Sequence, residues 1–511
     1  MAKVHFRCLM PTIIKIKKKN HAMIVVDSEP SVLNELSDFF TFYVPGYKFM
    51  PAYKNKVWDG KIRLFDIRTH ELYAGLYRYV KEFAAVEGRD YAIELEHDNY
   101  YGYPETTGEP DMGFLSDYTL TDNKGQKIQP RDYQLRAIEH GLKTKAAMLI
   151  SPTASGKSLI IYCLMRWYLE NHDKKVLIIV PTTSLVEQMY SDFAAYSQYD
   201  DGFEESICQR IYSGAPKHNN PARVIISTWQ SIYKLPGSWF SQYGAVFGDE
   251  AHNFKAKSLT SILTKMRDAE YRFGTTGTLD GTQTHKLVLE GLFGPAFYVT
   301  TTKTLMDNND LAQLDIKVLL LKYKDEHCKI VNKYKYQDEI DWIVRYENRN
   351  NFISNLALDQ DGNSLVLFQF VQKHGKPLYD MILKKAHKRR KVFYVSGETD
   401  TDTREHIRKI TEEQKNAIIV ASLGTFSTGI NIRNLHNIIF ASPSKSQIKV
   451  LQSIGRGLRK SDDGKNTILY DIADDLHWKS SKNYTLLHAA ERIKIYTKEQ
   501  FNFNIIEIPL P

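Results

Sequence analysis

The sequence predicts an α/β protein with two parallel-sheet lobes in tandem, preceded by a small α+β domain. Three observations support this fold class: the length of 511 residues, two series of short apolar runs, and the amphipathic stretches between those runs. A single hydrophobic core rarely grows beyond about 300 residues, so a chain of this length divides into several domains. We expect three domains, over residues 1–112, 113–300 and 301–511.

The first series of apolar runs predicts the strands of the first lobe. The runs cover residues 146–150, 176–180, 223–227, 245–247 and 271–273. Amphipathic stretches separate them, which is the pattern of strands joined by crossover helices. Because the runs are apolar almost throughout, they indicate a sheet that is covered by helices on both faces.

A second series predicts the strands of the second lobe. Its runs cover residues 364–368, 391–395, 417–421, 437–440 and 467–470. Between the two series lie a strand-like run at 316–321 and a helical stretch at 339–358, which we interpret as the lead-in to the second lobe. The first 110 or so residues have a different pattern and end at a turn-rich segment, residues 106–110, which is why we place the first boundary there.

Composition indicates a soluble globular protein of a reducing compartment. Hydrophobic residues make up 42% and charged residues 25%, and Lys and Arg exceed Asp and Glu by eight. That excess is compatible with a polyanionic partner but is shared by many proteins that bind none. The start of the chain has no secretion signal, and no run approaches the roughly 18 apolar residues that span a bilayer. The four cysteines have no paired spacing that would indicate a zinc site or a disulfide; they are Cys8, Cys163, Cys208 and Cys328. We therefore expect four buried, reduced thiols and a cytoplasmic protein.

An eight-residue segment after the first apolar run is the strongest local signal. It precedes a helical run at 159–169, and this context is typical of a phosphate-binding loop whose amides and helix N-terminus bind the β-phosphate. Lys157 would neutralise the β- and γ-phosphate oxygens of ATP, and the Ser158 hydroxyl would bind Mg²⁺. The predicted ATP-binding loop consists of Ser151, Pro152, Thr153, Ala154, Ser155, Gly156, Lys157 and Ser158.

Two adjacent carboxylates, Asp249 and Glu250, follow the predicted strand at 245–247. Asp249 would hold Mg²⁺ through its hydration shell, and Glu250 would position and activate the attacking water in phosphoryl transfer. In isolation, a solvated acidic pair in a loop is the commoner explanation for such a sequence. The position of the pair after a strand and downstream of the phosphate-binding loop favours the catalytic interpretation.

Arg456 and Arg459 in the second lobe form a third signal. They are three residues apart, so both project from one face of a helix. A guanidinium supplied by a separate lobe can stabilise charge on the γ-phosphate. The alternative is a pair of exposed arginines on a basic helix.

The order of these motifs resembles that of the superfamily 2 helicases. Segments 130–134, 181–188, 227–230, 275–278 and 427–431 carry the resemblance together with the three signals above. It implies two tandem RecA-like parallel-sheet lobes behind the small α+β N-terminal domain. It also implies that Tyr133 and Gln134 bind the adenine.

The same resemblance implies roles for residues in both lobes. Those expected to contact a nucleic-acid strand are Thr182, Thr228 and Thr428. Those expected to bind ATP from the second lobe are Gly429 and Asn431. Those expected to couple hydrolysis to movement are His252, Thr276, Thr278 and Gln452.

A closer resemblance, covering nearly the whole chain, is to the UvsW-type recombination helicases of T4-like bacteriophages. Segments 57–64, 239–244, 394–400 and 426–430 carry it. It implies an ATP-dependent DNA helicase that remodels Holliday junctions, stalled forks and RNA–DNA loops in phage recombination, repair and replication, with 3′ to 5′ movement. We expect branched or partly single-stranded DNA and RNA–DNA hybrids as substrates, replication and recombination proteins as partners, no membrane, and a monomer in the host cytoplasm.

Cations alternate with aromatic residues in the first domain, which suits a nucleic-acid surface. The residues expected to contact DNA there are Lys54, Lys56, Trp58, Lys61 and Arg63. Two purely structural alternatives stay open. Lys15, Lys17 and Lys19 alternate as the solvent-facing side of an antiparallel strand would, and Trp58 could belong to the core.

Other functional classes compete with a DNA helicase. One is an RNA helicase of the DEAD or DEAH type, against which the additional basic first domain and the UvsW-like segments argue. Another is a double-stranded DNA translocase, which would move without separating strands. A non-catalytic scaffold has no need for intact Lys157, Asp249, Glu250 and Arg459. A nuclease-linked translocase would carry an Asp followed by a Glu-x-Lys cluster, and we find no convincing one.

Overall fold

The computed structural model describes most of the chain in two compact units. The described residues are 11–96, 108–199, 207–212, 214, 221–254, 257–279, 282–386, 390–399, 403, 406–407, 410–411, 413–425, 434–442 and 466–511. One unit consists of Met1–Ser151 and Gly156–Val299, and the other of Pro152–Ser155 and Thr300–Pro511. Within these described ranges, no helix is both long enough and apolar enough to cross a membrane.

The first domain contains a mixed four-stranded sheet in the order β5-β2-β1-β6 and a two-stranded sheet, β3-β4. Its strands and helices are β1 (Thr12–Lys18), β2 (Met23–Asp27), α1 (Pro30–Phe39), β3 (Thr41–Tyr43), α2 (Pro51–Lys54), β4 (Lys61–Arg63), β5 (Glu71–Tyr73), α3 (Tyr77–Ala84) and β6 (Tyr91–Leu95). Ile14 and Ile16 are buried, whereas Lys15 and Lys17 are exposed on the other face of β1. The alternation of Lys15 and Lys17 is therefore that of a strand with one solvent-facing side.

The first lobe contains a seven-stranded sheet in the order β13-β7-β12-β11-β8-β10-β9, in which all pairings are parallel. Its strands and helices are α4 (Asp132–Thr144), β7 (Ala146–Ile150), α5 (Lys157–Asn171), β8 (Lys175–Val180), α6 (Thr183–Tyr196), β9 (Cys208–Ile211), β10 (Val224–Thr228), α7 (Trp229–Ile232), α8 (Gly237–Phe240), β11 (Tyr243–Gly248), α9 (Lys257–Lys265), β12 (Tyr271–Thr276), α10 (Gln283–Phe293) and β13 (Ala296–Tyr298). Every residue of β7, β10, β11 and β12 is buried, as expected for strands between two layers of helices.

The second lobe contains another seven-stranded parallel sheet, in the order β16-β17-β15-β18-β19-β14-β20. Its described strands and helices are α11 (Thr302–Asp307), β14 (Leu314–Lys322), α12 (Asp325–Val331), α13 (Tyr336–Arg345), α14 (Glu347–Asp359), β15 (Ser364–Phe368), α15 (Lys376–Ala386), β16 (Val392–Val395), β17 (Ile418–Ser422), β18 (Asn437–Phe440), β19 (Thr467–Asp475), α16 (Tyr484–Lys498) and β20 (Asn502–Pro509). The two sheets confirm the predicted α/β fold of two tandem RecA-like lobes.

Two details of the prediction for the second lobe were wrong. The run at 316–321 is not a lead-in, because it forms most of β14, which pairs with β19 on one side and β20 on the other. The helical stretch at 339–358 is two helices, α13 and α14, separated at Tyr346, whose backbone is extended (φ −67°, ψ 115°). The Tyr346 ring stacks on Trp342 with the centroids 4.7 Å apart, and this packing accompanies the break.

The first domain packs directly on α10 of the first lobe. Glu290 of that helix is 1% exposed and accepts hydrogen bonds from Arg78 and Tyr79 of the first domain. A Cβ atom on Gly75 would lie 1.9 Å from the Glu290 carbonyl oxygen, so only glycine allows this close approach. The two domains therefore share one hydrophobic core.

The burial of each described cysteine depends on the helix or strand that carries it. Cys163 on α5 and Cys328 on α12 are buried, as predicted, and burial raises the pKa of both thiols. Cys208 is only half-buried because it lies on β9, the edge strand of its sheet, so the expectation of a buried thiol was wrong there. Cys8 lies outside the described residues.

Candidate nucleotide-binding site

The predicted phosphate-binding loop connects β7 to α5. Its Ser151 N–H donates to the Thr276 carbonyl at 2.8 Å, and Lys157 Nζ donates to the Ser151 carbonyl at 3.3 Å. Ala154 and Gly156 have positive φ angles of 65° and 76°, so the loop turns sharply before the helix begins at Lys157. The turn directs the N-terminus of α5 at the carboxyl edge of the sheet, where a phosphate would meet helix amides.

The segment predicted to bind adenine lies against this loop. Tyr133 and Gln134 are buried at the start of α4. Gln134 Oε1 accepts from the Arg131 N–H at 2.8 Å, and Gln134 Nε2 donates to the Gly156 carbonyl at 3.4 Å. A Cβ on Gly156 would lie 2.4 Å from Gln134 Nε2, so a side chain at this position would disrupt the contact. In this structure Gln134 therefore ties α4 to the phosphate-binding loop.

Asp249 lies at the carboxyl end of β11 and is buried. Thr275 Oγ1 donates to its Oδ1 at 2.8 Å. Burial raises the pKa of Asp249, the neighbouring charge of Glu250 raises it further, and Lys157 opposes both effects. A buried carboxylate whose charge is incompletely compensated is a suitable ligand position for a cation.

Glu250, the second carboxylate, occupies a strained backbone conformation. Its φ of 49° and ψ of 48° are left-handed, which is unfavourable for a residue with a side chain. Its Oε2 lies 3.3 Å from Nδ1 of His252, which in turn lies 3.0 Å from Thr276 Oγ1. Because Thr276 donates its own hydroxyl proton to the Thr278 carbonyl at 3.0 Å, it accepts from a His252 ring protonated on Nδ1. His252, Thr276 and Thr278 form one hydrogen-bonded network, and the Glu250 carboxylate lies beside it.

Sequence reasoning missed three residues that touch this site. Thr275 lies within a recognised motif but was not assigned a role, although it holds Asp249. His285 on α10 is buried, and its Nε2 lies 3.0 Å from the His252 carbonyl. Tyr196 at the end of α6 places its hydroxyl 2.8 Å from Ser158 Oγ. No local pattern signals Tyr196 or His285, because their partners lie more than 30 residues away along the chain.

Two predicted strand-contacting segments lie side by side at the carboxyl edge of the sheet. Thr182 caps α6, where its Oγ1 accepts from the Leu185 N–H at 3.4 Å. Thr228 ends β10, which is the neighbour of β8. Thr228 is buried, and its hydroxyl lies 2.9 Å from that of Ser231. The exposed Gln230 beside it donates to the Pro181 carbonyl at 3.4 Å and so joins the two segments.

The cations predicted for the first domain lie around the β3-β4 sheet. Lys54, Lys56 and Arg63 are exposed, and Lys61 is half-buried. Arg63 forms an ion pair with Asp59, which also accepts from the Lys61 N–H, and the two contacts lower the pKa of Asp59. Arg63 is therefore already partnered by an acid.

Aromatic side chains accompany these cations. Phe49 is 81% exposed, and Tyr43 stacks on Tyr47 with the ring centroids 4.6 Å apart. Lys61 Nζ lies 5.1 Å from the centre of the Tyr43 ring. Trp58 is half-buried and donates its ring N–H to the Lys61 carbonyl at 2.8 Å, so it is not part of the hydrophobic core. The alternative assignment of Trp58 to the core was wrong.

Several predicted site residues of the second lobe fall outside the described residues. They are Thr428, Gly429, Asn431, Gln452, Arg456 and Arg459. The described part of the site therefore belongs to the first lobe. It brings together the phosphate-binding loop, two acids and the hydroxyl–imidazole network, an arrangement able to bind a nucleotide phosphate and to activate a water for attack on it.

Family models match three parts of the chain. One described as the N-terminal part of the DNA helicase UvsW matches residues 13–96. One described as the res subunit of type III restriction enzymes matches residues 127–281, and the conserved C-terminal helicase domain matches residues 348–461.

Relatives match over greater lengths. The "ATP-dependent DNA helicase uvsW" of Enterobacteria phage T4 is 36% identical over 507 residues, which cover 96% of this chain and 98% of that protein. The crystal structure of T4 UvsW aligns with 98% of this chain and 100% of its own, at 35% identity and a TM-score of 0.50. The "DNA 3'-5' translocase XPB2" of Sulfurisphaera tokodaii is 23% identical over 68% of this chain and 82% of its own length. The chain therefore belongs to the UvsW family of ATP-dependent DNA helicases.

Proposed function

We propose that this chain hydrolyses ATP at the first-lobe site and uses the cycle to remodel branched DNA. The observation that carries the proposal is the position of Thr276. Its carbonyl accepts from Ser151 of the phosphate-binding loop, and its hydroxyl contacts His252 beside Glu250. Thr276 at the end of β12 therefore contacts both the phosphate-binding loop and the residue beside the proposed catalytic acid.

The catalytic roles follow from the geometry. Lys157 at the start of α5 would bind the β- and γ-phosphate oxygens, and Glu250 would orient and activate the attacking water. The Glu250 carboxylate lies 3.3 Å from His252 Nδ1, next to the end of β11. In the second lobe, Arg456 and Arg459 are proposed to stabilise charge on the γ-phosphate, and Gly429 and Asn431 to contact ATP.

The residues of the first lobe fit a magnesium ion. Asp249 is a buried carboxylate with a raised pKa, and a divalent cation there would compensate its charge. Ser158 Oγ offers the hydroxyl oxygen that such a site uses, and Mg²⁺ typically takes only one or two protein ligands besides phosphate and water. When bound, the ion would neutralise charge on the β- and γ-phosphates. Among the described residues, no group of three or more His, Cys, Asp or Glu side chains forms a metal site by itself.

DNA contacts are proposed at two surfaces of the first unit. Thr182 and Gln230 lie at the sheet edge beside the nucleotide site, where backbone contacts would make movement independent of sequence. In the first domain, the exposed Phe49 offers a base-stacking surface among Lys54 and Lys56. We propose that residues 1–112 select the branched substrate, 113–300 bind ATP, and 301–511 complete the motor.

The proposed setting is the cytoplasm of a phage-infected host, with a monomer acting beside replication and recombination proteins. The phage origin of the relative that matches almost the whole chain supports this setting. RNA–DNA hybrids are proposed as a second substrate of the same motor.

The test is unwinding of a synthetic Holliday junction, measured with ATP hydrolysis on branched DNA, single-stranded DNA and RNA. In the wild type we expect ATP-dependent unwinding and stronger stimulation by branched DNA than by RNA. Lys157→Ala should lower hydrolysis by about a thousandfold and abolish unwinding. The matched control is Lys174→Ala, since Lys174 is an exposed lysine that faces Asp268 on the same lobe. Equal unwinding by Lys157→Ala, or stimulation by RNA alone, would contradict the proposal.

A second candidate, translocation on duplex DNA without strand separation, is favoured by the similarity to XPB2, a DNA 3'-5' translocase. Displacement of a triplex-forming strand separates the two candidates. ATP-dependent triplex displacement without any junction unwinding would favour the translocase.

A further inference from the structure

The proposed magnesium ligand Ser158 is held by a residue from another helix. Its Oγ lies 2.8 Å from the hydroxyl of Tyr196, the last residue of α6, and either oxygen can donate. Ser158 lies in the first turn of α5, directly after Lys157. The contact therefore joins the phosphate-binding end of α5 to the C-terminal end of α6.

Tyr196 is itself fixed from two sides. Its ring packs edge-on against Tyr162 of α5, with the centroids 5.5 Å apart. Its carbonyl accepts from the Thr121 N–H at 3.3 Å, while Thr121 Oγ1 donates to the Ala195 carbonyl at 2.6 Å. Thr121 is fully buried, so the end of α6 has a defined position.

A serine hydroxyl binds a cation through an oxygen lone pair, so its proton must point to an acceptor elsewhere. The Tyr196 oxygen is such an acceptor. When Ser158 donates to Tyr196, its lone pairs are left for the metal, and the rotation of the hydroxyl is fixed. Partners of this kind orient metal ligands, and their loss typically lowers metal affinity by about tenfold or more.

The same helix also reaches the proposed DNA surface. α6 begins directly after its cap, Thr182, and its 14 residues span about 20 Å between that cap and Tyr196. We propose that Tyr196 is a positioning residue that orients the Ser158 hydroxyl for Mg²⁺, and that α6 thereby links the metal site to DNA binding at Thr182. The inference rests on the proposed function, because it takes Ser158 as a magnesium ligand and Thr182 as a DNA contact.

The test measures the affinity of the full-length protein for a fluorescent ADP analogue, with MgCl₂ titrated against EDTA. Tyr196→Phe removes only the hydroxyl and keeps the ring. We expect about a tenfold higher Mg²⁺ concentration for half-maximal binding, with unchanged ADP affinity in EDTA. Tyr190→Phe is the matched control, because Tyr190 lies on the same helix but faces Arg210. The guanidinium carbon Cζ of Arg210 lies 4.1 Å from the centre of the Tyr190 ring. An unchanged Mg²⁺ requirement in Tyr196→Phe overturns the inference.

Ser158→Ala separates this inference from the proposed function. It should lose most of the Mg²⁺ dependence, and adding Tyr196→Phe should change nothing further. If Ser158→Ala matches the wild type, the proposed metal site itself is wrong. If Ser158→Ala behaves as expected but Tyr196→Phe lowers affinity equally in both backgrounds, Tyr196 acts elsewhere and only the inference fails. Ser158→Thr keeps a hydroxyl and provides a second background for the same comparison.

The link through α6 has its own readout. Binding of oligothymidylate and of Mg²⁺·ADP should influence each other in the wild type, and by thermodynamic reciprocity the factor is the same in both directions. In Tyr196→Phe this factor should fall toward one. If the mutual influence of oligothymidylate and Mg²⁺·ADP stays at the wild-type value in Tyr196→Phe, the link through α6 is overturned.

Discussion

Buried acids occur in both lobes, but they are compensated very differently. In the first lobe, Asp249 accepts from the Thr275 hydroxyl and the Glu250 N–H and is attracted by Lys157, but the negative charge of Glu250 lies next to it. In the second lobe, the buried Asp471 accepts from Arg492 through both carboxylate oxygens, at 2.8 and 2.9 Å, and from the Tyr496 hydroxyl at 2.9 Å. The negative charge of Asp471 in the second lobe is therefore nearly fully compensated, whereas that of Asp249 in the first lobe is only partly compensated.

A second pair in the second lobe repeats the compensated pattern. Arg349 donates from Nε and Nη2 to the two oxygens of Asp474, at 2.7 and 3.0 Å, and Tyr323 adds a third hydrogen bond at 2.7 Å. Glu290 shows that compensation is also available within the first unit, since Arg78, Tyr79 and the Ala296 N–H all donate to it. Asp249, by contrast, is stabilised by the Thr275 hydroxyl and the charge of Lys157 but opposed by the neighbouring charge of Glu250, and we interpret it as a position kept for ligand chemistry rather than for stability.

The largest effect should come from the strained acid of the first lobe. Glu250→Gln keeps the shape of the side chain but cannot accept the proton of the attacking water. We expect ATP hydrolysis to fall by about a thousandfold, equivalent to roughly 4 kcal/mol of activation free energy, with nucleotide binding retained. Single-turnover hydrolysis measures the effect. Glu270→Gln, which changes an acid paired with Lys145 outside the site, should hydrolyse ATP at the wild-type rate, and a similar loss in both variants would refute the assignment.

Breaking a compensated pair should affect stability and not chemistry. Arg492→Leu leaves Asp471 buried without its main partner, and we expect a loss of about 3–5 kcal/mol in the free energy of unfolding, measured with urea. The double variant Arg492→Leu/Asp471→Leu should recover part of that loss, because no unpaired charge remains. Lys494→Leu, which removes an exposed pair with Glu491 on the same helix, should change stability by less than about 0.5 kcal/mol. Equal effects of the buried and exposed variants would show that compensation is unimportant here.

The smallest effect should be a gain in thermal stability rather than a loss. Because the folded-state pKa of Asp249 is raised, its ionisation costs stability as the pH rises through that pKa. Asp249→Asn removes this cost and still accepts from Thr275, so we expect a melting temperature about 2 °C above wild type at neutral pH, with the difference vanishing in acid. Glu290→Gln, which alters a compensated acid, should instead lower the melting temperature. If Asp249→Asn also lowered it, the charge of Asp249 would have to be compensated after all.

Sequence predicted the strands that are continuous apolar runs, including the edge strand β16, but missed the other three described edge strands of the two lobes. β9 and β20 are edge strands, and β20 carries mostly exposed side chains, so burial imposes no apolar run on it. β13, also an edge strand, is only three residues long. The break at Tyr346 was missed because no proline or glycine marks it between residues 339 and 358.

The chemistry of the site was more predictable than its support. Asp249 and Glu250 follow β11 directly and Lys157 follows the loop after β7, so the chain order alone places them at one sheet edge. Tyr196, which contacts Ser158, and His285, which contacts the His252 carbonyl, lie outside any recognised motif. The missed residues are those whose role depends on a contact across the fold.

We expect the partly compensated acid of the first lobe to be a ligand position and the compensated acids of the second lobe to be structural. Calorimetric titration with ADP, with and without Mg²⁺, on the wild type, Asp249→Asn and Asp471→Asn tests it most directly. We predict that Mg²⁺ strengthens ADP binding in the wild type and in Asp471→Asn, but not in Asp249→Asn. The claim would be contradicted if Asp249→Asn kept the full Mg²⁺ dependence, or if a folded Asp471→Asn lost it.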